Sequence, residues 1–145
     1  MARSKKSAAK SVEMLRLVPL FSTLSDRQLR SIIGQAKEVS FPAGTEICKE
    51  GETGVGMHVV LEGQTKVQIN GRTRRKQGPG AFFGEMALLD GGPRSASVIA
   101  ETDVHTISIP HWNFRALLEE QPPLALKMLE ELCKRLREES LQLHG

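Results

Sequence analysis

The stretch "FFGEMALLDGGPRSASVIA", residues 82–100, places one acid and one arginine in a run that is otherwise apolar or rich in glycine. The acid is Glu85, and the arginine is Arg94, which follows a Gly-Gly-Pro sequence. Two opposite charges among residues typical of a core either pair with each other or share a ligand that needs both. Charge spacing alone favours a surface ion pair that holds a turn together. Gly80, Gly84 and the flanking apolar runs favour a shared ligand.

The chemistry of these residues suits a nucleotide. The segment "GEMALL" is typical of a short helical turn that begins at Gly84, and a helix N-terminus presents N–H groups suited to a phosphate. The guanidinium of Arg94 can bind two phosphate oxygens at once, which a lysine cannot. The carboxylate of Glu85 repels a phosphate but accepts hydrogen bonds from sugar hydroxyls. Walls formed by Phe82, Met86 and Val98 would exclude water from both contacts.

Short strands with turns between them surround this stretch. Each predicted strand is bounded by Gly, Pro or Asn. The predicted strands are "KEVSF", "TEICKE", "GMHVVLE", "TKVQI", "RTRRK", "ASVIA" and "VHTISI". Asn70-Gly71, between the fourth and fifth of these, is a strong signal for a two-residue hairpin. Closely spaced short strands predict a small antiparallel barrel or sandwich.

Helical patterns flank the strands on both sides. Residues 12–36 have helical spacing interrupted at Pro19, and Ser25 or Asp26 can cap the second part. A short amphipathic helix follows Pro110, and its residues Trp112 and Phe114 are predicted to pack in the core. Pro122-Pro123 ends that helix, and a longer one follows. Its apolar stripe contains Leu126, Met128, Leu129, Leu132, Cys133 and Leu136.

Length and charge are consistent with one binding domain. The chain has 145 residues, enough for a hydrophobic core, and a net charge of +3. Residues 1–10 hold four basic residues and no acid, so the remainder carries a net charge of 3 − 4 = −1. We predict a disordered basic tail over residues 1–10 and a domain over residues 11–145, in which strands occupy about 37–109 and helices about 111–143. A basic tail without a basic folded face argues against nucleic-acid binding by the domain.

The remaining residues argue against an enzyme. His58, His105, His111 and His144 lack metal-ligand spacing and are expected at solvated or edge positions. A phosphodiesterase or a metal-dependent jelly-roll oxygenase would need a cluster of metal ligands, and no Ser/His/Asp or Cys/His set is expected in proximity. Cys48 and Cys133 are expected to be buried free thiols in a reducing cytoplasm. No apolar run has the length needed to cross a membrane.

Residues 82–100 resemble the phosphate-binding cassette of cyclic nucleotide-binding domains, with the pattern F-G-E-x-A-L followed by P-R-x-A-x-V. "LVPLFSTLSDRQLRSI" is similar to the helical lead-in of that family, and "FPAGTEICKEGETGVGMHVVLEGQTKV" is similar to its first four strands. "HWNFRALLEEQPPLALKMLEELCKRL" resembles its hinge and lid helices. The resemblance extends over about residues 12–140 without an internal gap.

The resemblance implies an α+β, mainly β fold: an eight-stranded antiparallel jelly-roll β-barrel with N-terminal helices and C-terminal hinge and lid helices. It also implies a 3′,5′-cyclic nucleotide as ligand, with no metal or other cofactor. Residues expected at the cyclic phosphate are Arg94, Ser95, Ala96 and Ala87. Residues expected at the ribose are Glu85, Gly84 and Met86. By analogy, the lid helix closes over the base when the ligand binds.

Cyclic AMP is favoured over cyclic GMP on prior frequency, because a hydroxyl at Ser95 is compatible with both. Glu139 and Ser140 align with lid positions that meet the base in related bacterial regulators, although a solvated helix end is the favoured interpretation of both. Arg75 is a further candidate for the base. Alternation places Thr73 and Arg75 on one face of their strand and Arg74 and Lys76 on the other, so one arginine could enter the pocket, although a solvated edge strand is favoured.

The sequence also departs from the family pattern. Val55 replaces an acidic or polar residue, and His58 replaces what is more often an aromatic, which we interpret as tolerated variation. No helix-turn-helix, kinase, channel or cyclase segment is present, so we expect a cyclic nucleotide receptor module that acts on a separate protein effector. The alternative is an interaction scaffold of the same fold without a ligand, and retention of both Glu85 and Arg94 argues against it. The sequence does not determine the oligomeric state.

Overall fold

The structure is a computed structural model, which describes residues 12–52, 56–84 and 93–144, with backbone only at 111–113 and 139–144. The predicted basic tail, the turn at Val55 and the helical turn after Gly84 lie outside the described residues.

Two four-stranded antiparallel sheets form the barrel, as the resemblance implies. The first has the order β1-β8-β3-β6 and the second the order β2-β7-β4-β5. The strands are β1 (Lys37–Phe41), β2 (Glu46–Cys48), β3 (Gly56–Glu62), β4 (Thr65–Ile69), β5 (Arg72–Gln77), β6 (Phe82–Phe83), β7 (Ser97–Ala100) and β8 (Val104–Pro110). The predicted strands are confirmed in position, with shorter ends at β2 and β7.

Helices lie before and after the barrel. Residues 12–16 are helical and lead into a 3₁₀ turn at Pro19–Phe21. The longer helices are α1 (Asp26–Gln35), α2 (His111–Glu120) and α3 (Pro122–His144). Ser25 caps α1 in a capping box with Gln28, so the first of the two predicted caps is correct.

Strand β3, in the interior of the first sheet, is buried on both faces, which explains why it is apolar along almost its whole length. Met57, Val59 and Leu61 pack against the helices, while Val60 faces the interior between the two sheets. The two-residue strand β6 reaches both cores, because Phe82 packs on the helical side and Phe83 in the barrel interior. Phe114 of α2 is also fully buried, which confirms its predicted core position.

The hairpin between β4 and β5 is formed at the predicted dipeptide. Asn70 and Gly71 have φ angles of 52° and 76°, the left-handed conformation that a two-residue hairpin turn requires. A β-bulge follows: Val67 pairs with Arg75, but Gln68 pairs with Thr73. Arg74 is therefore the extra residue of the bulge.

This bulge overturns the prediction from simple alternation. The Thr73 hydroxyl accepts a hydrogen bond from Nε2 of the partly buried Gln68, whereas Arg75 lies opposite the buried Val67. The two residues therefore do not share a face, because the extra residue shifts the alternation by one position. β5 is an edge strand with exposed charges, as predicted, and it also directs one arginine toward the interior.

Candidate functional site

The candidate site is a cavity of about 260 Å³ between the second sheet, β6 and helix α3. It brings together residues from distant parts of the chain. The lining residues that were predicted as ligand contacts are Gly84, Arg94, Ser95, Ala96 and Arg75. The barrel adds Cys48, Val67, Ile69, Phe83 and Val98, and α3 adds Leu132, Arg135 and Leu136.

Arg94 is the chemical centre of this cavity. Only 8% of the residue is exposed, so it is not one member of a surface ion pair. Its Nη1 donates to the Gly84 carbonyl at 2.8 Å, and its Nη2 donates to the Gly56 carbonyl at 2.6 Å. Among the described residues, these two carbonyls are the hydrogen-bond partners of the guanidinium. They orient it without neutralising its charge, which leaves the group suited to an anion.

Glycine is required at both carbonyls. A Cβ on Gly84, whose φ is 86°, would clash with Nη1 of Arg94. A Cβ on Gly56 would lie 2.5 Å from the Ile109 carbonyl oxygen of the neighbouring strand. The two glycines therefore allow the backbone to approach the arginine and the adjacent strand closely.

The backbone of Arg94 is also fixed. Its N–H donates to the Glu52 carbonyl at 2.8 Å, and its own carbonyl accepts from Gly51 N–H at 2.9 Å. These bonds join the segment after the Gly-Gly-Pro sequence to the end of the β2 region. The arginine is therefore held by hydrogen bonds at both its backbone and its side chain.

His58 lies beside the arginine in the barrel interior, which corrects the expectation of a solvated or edge position. Its ring stacks on Phe83 with centroids 5.1 Å apart and meets the edge of Phe41 at 5.8 Å. Nδ1 lies 3.2 Å from the Thr106 hydroxyl. The imidazole therefore fills the place of an aromatic ring, which explains physically why the substitution is tolerated. Burial, and then the charge of Arg94, lower the pKa of His58 from 6.5 to about 4.

Arg135 was missed by the sequence reasoning. Its guanidinium lies 4.2 Å from the centroid of the Phe82 ring, and Nη2 donates to the Phe82 carbonyl at 2.5 Å. The available signal was its position on α3 between Leu132 and Leu136, both of which were assigned to an apolar stripe. A basic residue that shares the inward face of such a helix is a candidate for a buried polar contact.

Several predicted contacts are not described. Glu85, Met86 and Ala87 lie outside the described residues, and the same holds for the side chains of Trp112, Glu139 and Ser140. The shared placement of Glu85 and Arg94 therefore remains a prediction.

One expectation about other side chains is wrong: Cys48 is a buried thiol outside any disulfide, as expected, but Cys133 is exposed on α3. A serine and a histidine lie near each other: the Ser40 hydroxyl is 3.0 Å from His105 Nδ1, with the Glu38 carboxylate 3.8 Å from Nε2. This group is on the helix-facing side of an edge strand and away from the cavity. The distance to Glu38 exceeds that of a hydrogen bond, so the group lacks the geometry of a catalytic triad.

The described part of the chain meets neither the requirements of a metal site nor those of a membrane-spanning helix. Its His, Cys, Asp and Glu side chains form no group of three that could hold a metal ion. None of the described helices is long and apolar enough to span a bilayer.

Comparison with known proteins decides the family. Residues 38–121 match the model of the cyclic nucleotide-binding domain. The chain belongs to this family. The matched range extends from Glu38 in β1 through the rest of the barrel and helix α2.

The similar proteins are of different kinds. A cyclic nucleotide-gated potassium channel of Mesorhizobium japonicum is 40% identical over 113 residues, which are 78% of this chain and 31% of the channel. The crystal structure of the Thermus thermophilus catabolite activator protein has a TM-score of 0.77 and 32% identity, covering 87% of this chain and 62% of that one. The regulatory domain of a Toxoplasma gondii protein kinase, crystallised with cyclic AMP, has a TM-score of 0.70 and 28% identity, covering 80% of this chain and 46% of that one. The chain thus spans about a third of the channel's length and less than two thirds of the other two chains.

Proposed function

We propose that this domain is a receptor module that binds a 3′,5′-cyclic nucleotide in the cavity and has no catalytic activity. The observation that carries the proposal is the buried guanidinium of Arg94, which neutral carbonyls orient into an otherwise largely apolar cavity. A buried charge is costly unless it is paired, and a cyclic phosphate in the cavity would supply an anionic partner. Ser95, Ala96 and Ala87 complete the proposed phosphate contacts.

The proposed ribose contacts are made by Glu85, Gly84 and Met86. An ionised carboxylate only accepts hydrogen bonds, so Glu85 would accept one from the 2′-hydroxyl. At the base, Ser95, Arg75, Glu139 and Ser140 are the proposed contacts. The position of Arg75 on the cavity lining supports its inclusion. Cyclic AMP is the favoured ligand over cyclic GMP.

The proposed output is a rearrangement of α3. This helix contributes Leu132, Arg135 and Leu136 to the cavity, so a ligand there would contact both the barrel and the helix. A ligand that binds one helix position better than another shifts the population toward it. We propose that the altered α3 surface acts on a protein effector in a cytoplasmic setting, in which the thiols of Cys48 and Cys133 would stay reduced.

Calorimetric titration of the chain with cyclic AMP, cyclic GMP and linear AMP tests the proposal. We expect saturable binding of both cyclic nucleotides, tighter for cyclic AMP, and much weaker binding of linear AMP, whose doubly charged terminal phosphate does not present the compact cyclic diester. Absence of heat with both cyclic nucleotides, in protein shown to be folded by circular dichroism, would favour the ligand-free scaffold instead.

A second titration tests the ribose contact. A 2′-deoxy cyclic AMP should bind wild-type protein more weakly, but Glu85→Ala should add little to that loss. Additive losses would mean that Glu85 does not touch the hydroxyl, because independent sites add and shared contacts do not.

A further inference from the structure

We propose that the segment Phe82–Gly84 couples the phosphate site to helix α3, because an arginine is fixed to each end of it. Arg94 donates to the carbonyl of Gly84, and Arg135 of α3 donates to the carbonyl of Phe82. Both guanidinium groups line the same cavity. Arg135 is in this proposal a positioning residue, which acts on Arg94 through the backbone of β6. The ligand-dependent part rests on the proposed function, and the rest does not.

The segment is short enough to respond to either arginine. β6 has two residues and lies at the edge of its sheet, where β3 is its pairing partner among the described strands, through Val59 and His58. So short a ladder contributes few hydrogen bonds, so the two arginine contacts add to the bonds of Gly80 and Ala81 with Val60 and to a 3.4 Å bond from Gln77 Nε2 to the Phe82 carbonyl in fixing the backbone. In so short a segment, a change at one end alters the position of the other end.

The side chains of β6 make the coupling specific. Phe82 is 2% exposed in the core that contains Leu124 and Met128 of α3, and its ring also lies against the Arg135 guanidinium. Phe83 is 3% exposed in the barrel core, lines the cavity and stacks on His58. The two residues of β6 therefore contact opposite sides of the sheet: Phe82 packs toward α3, and Phe83 packs toward the proposed ligand.

A ligand bound to Arg94 would affect this coupling through the Gly84 carbonyl. An anion bound to Arg94 competes with the Gly84 and Gly56 carbonyls for the orientation of a single planar guanidinium. Any displacement of Gly84 would shift the Phe82 carbonyl and so change the contact with Arg135. By linkage, two factors are equal: the factor by which the bound anion changes the equilibrium of the Arg135 contact, and the factor by which that contact changes the affinity of Arg94 for the anion.

Arg135→Met tests the coupling, because methionine keeps an unbranched apolar side chain and removes the donors and the charge. Arg137→Met is the matched control: Arg137 has the same side chain two residues later, and it lies beside Leu126 and Cys133 on the outward groove of α3. Native-state amide hydrogen exchange is measured on wild-type protein, on both variants and on Arg94→Met, with Arg94→Lys as the substitute if Arg94→Met does not fold.

The first comparison is made without any ligand. Arg135→Met should speed exchange at residues 80–84 about fivefold or more, and Arg94→Met should speed exchange across residues 128–136 by a similar factor. Arg137→Met should change neither region. Faster exchange at residues 80–84 in Arg135→Met, together with faster exchange at residues 128–136 in Arg94→Met, would support the coupling. Arg94 variants that leave residues 128–136 unchanged would overturn it, whatever the ligand proves to be.

The second comparison adds cyclic AMP. Wild-type protein should gain protection across residues 82–84 and 128–136 together. Arg135→Met should keep the gain at 82–84, lose most of the gain on α3 and bind cyclic AMP about fivefold more weakly. Equal protection of α3 in Arg135→Met and wild type would contradict the proposal. If wild-type protein binds no cyclic nucleotide, the proposed function fails, and the ligand-free comparison alone decides the coupling.

Discussion

In strand β3, residues that face the helices alternate strictly with residues that face the barrel interior, whereas on α3 leucines occupy both the inner and the outer side. Leu124 is fully buried and Met128 is 2% exposed, yet Leu126 is 62% exposed and Leu129 is 57% exposed. The predicted single stripe of α3 is therefore wrong in part, because it merges two faces. A strand has only two sides and its register determines which is buried, but a helix with apolar residues on several sides does not specify which one packs.

The comparison first predicts that affinity depends on the barrel far more than on the outward side of α3. Arg94→Ala removes the charge that the cavity presents and should cost about 2–5 kcal/mol of binding, or a loss of roughly 30-fold or more. Arg137→Ala removes an arginine from the outward groove of α3 and should leave the dissociation constant for cyclic AMP within about twofold. Titration calorimetry measures both. Equal losses would mean that α3 holds the phosphate and would contradict the assignment of Arg94.

A pair of leucine substitutions tests the two faces of α3 directly. Leu124→Ala leaves a cavity in the helical core and should lower the free energy of unfolding by about 2–5 kcal/mol. Leu126→Ala removes the same atoms from a mostly exposed position and should change it by no more than about 0.5 kcal/mol. Urea denaturation followed by circular dichroism gives both values. A large cost at Leu126 would show that its side is covered in solution.

His58 supplies a prediction about pH, because its environment in the barrel disfavours the charged imidazole. The pKa is about 4 in the folded protein against about 6.5 when unfolded, so the unfolded chain binds more protons between these values. The resulting stability is fully present above pH 6.5 and is lost as pH falls toward 4. The loss is at most about 3 kcal/mol, from the size of the shift.

Substitution by Phe should remove this dependence while keeping the stacking on Phe83. The difference in unfolding free energy between His58→Phe and wild type should therefore grow in favour of the variant as pH falls from 7 to 4.5. His105→Gln is the control for replacing a histidine on the outer side of the same sheet. Parallel pH profiles for His58→Phe and wild type would show that His58 is not buried as described.

Local signals in the sequence predicted the barrel well. The features that were missed depend on contacts between residues that are distant in the sequence. Asn70-Gly71 specified the hairpin by its backbone preference alone, and bounding Gly, Pro and Asn residues located the short strands. The bulge at Arg74 could not be predicted, because it depends on pairing with β4 rather than on β5 itself. The contact of Arg135 with Phe82 joins residues 53 positions apart, and helical spacing cannot indicate which inward residue meets a carbonyl.

For the site, the chemistry of individual residues could be predicted from the sequence more fully than their spatial arrangement. The guanidinium of Arg94 and the need for glycine at Gly84 followed from the cassette pattern, and the structure adds the carbonyl of Gly56 as a second fixed partner. Gly56 was quoted only as part of a strand, since its role depends on Ile109 of another strand. A steric requirement that comes from a distant strand cannot be recognised in a local sequence pattern.

The smallest predicted effect concerns the hairpin that directs Arg75 to the cavity. Asn70→Ala places a Cβ-bearing residue without a compensating amide at a φ of 52° and should cost about 1 kcal/mol of stability. Asn70→Gly should be tolerated, since glycine adopts this conformation readily. Because the turn also sets the β4–β5 register, Asn70→Ala should weaken protection of the Val67 and Arg75 amides in hydrogen exchange while leaving α3 unchanged. Equal loss of protection on α3 would mean that the hairpin and the helix unfold as one unit, and that the barrel and α3 are less independent than their burial patterns indicate.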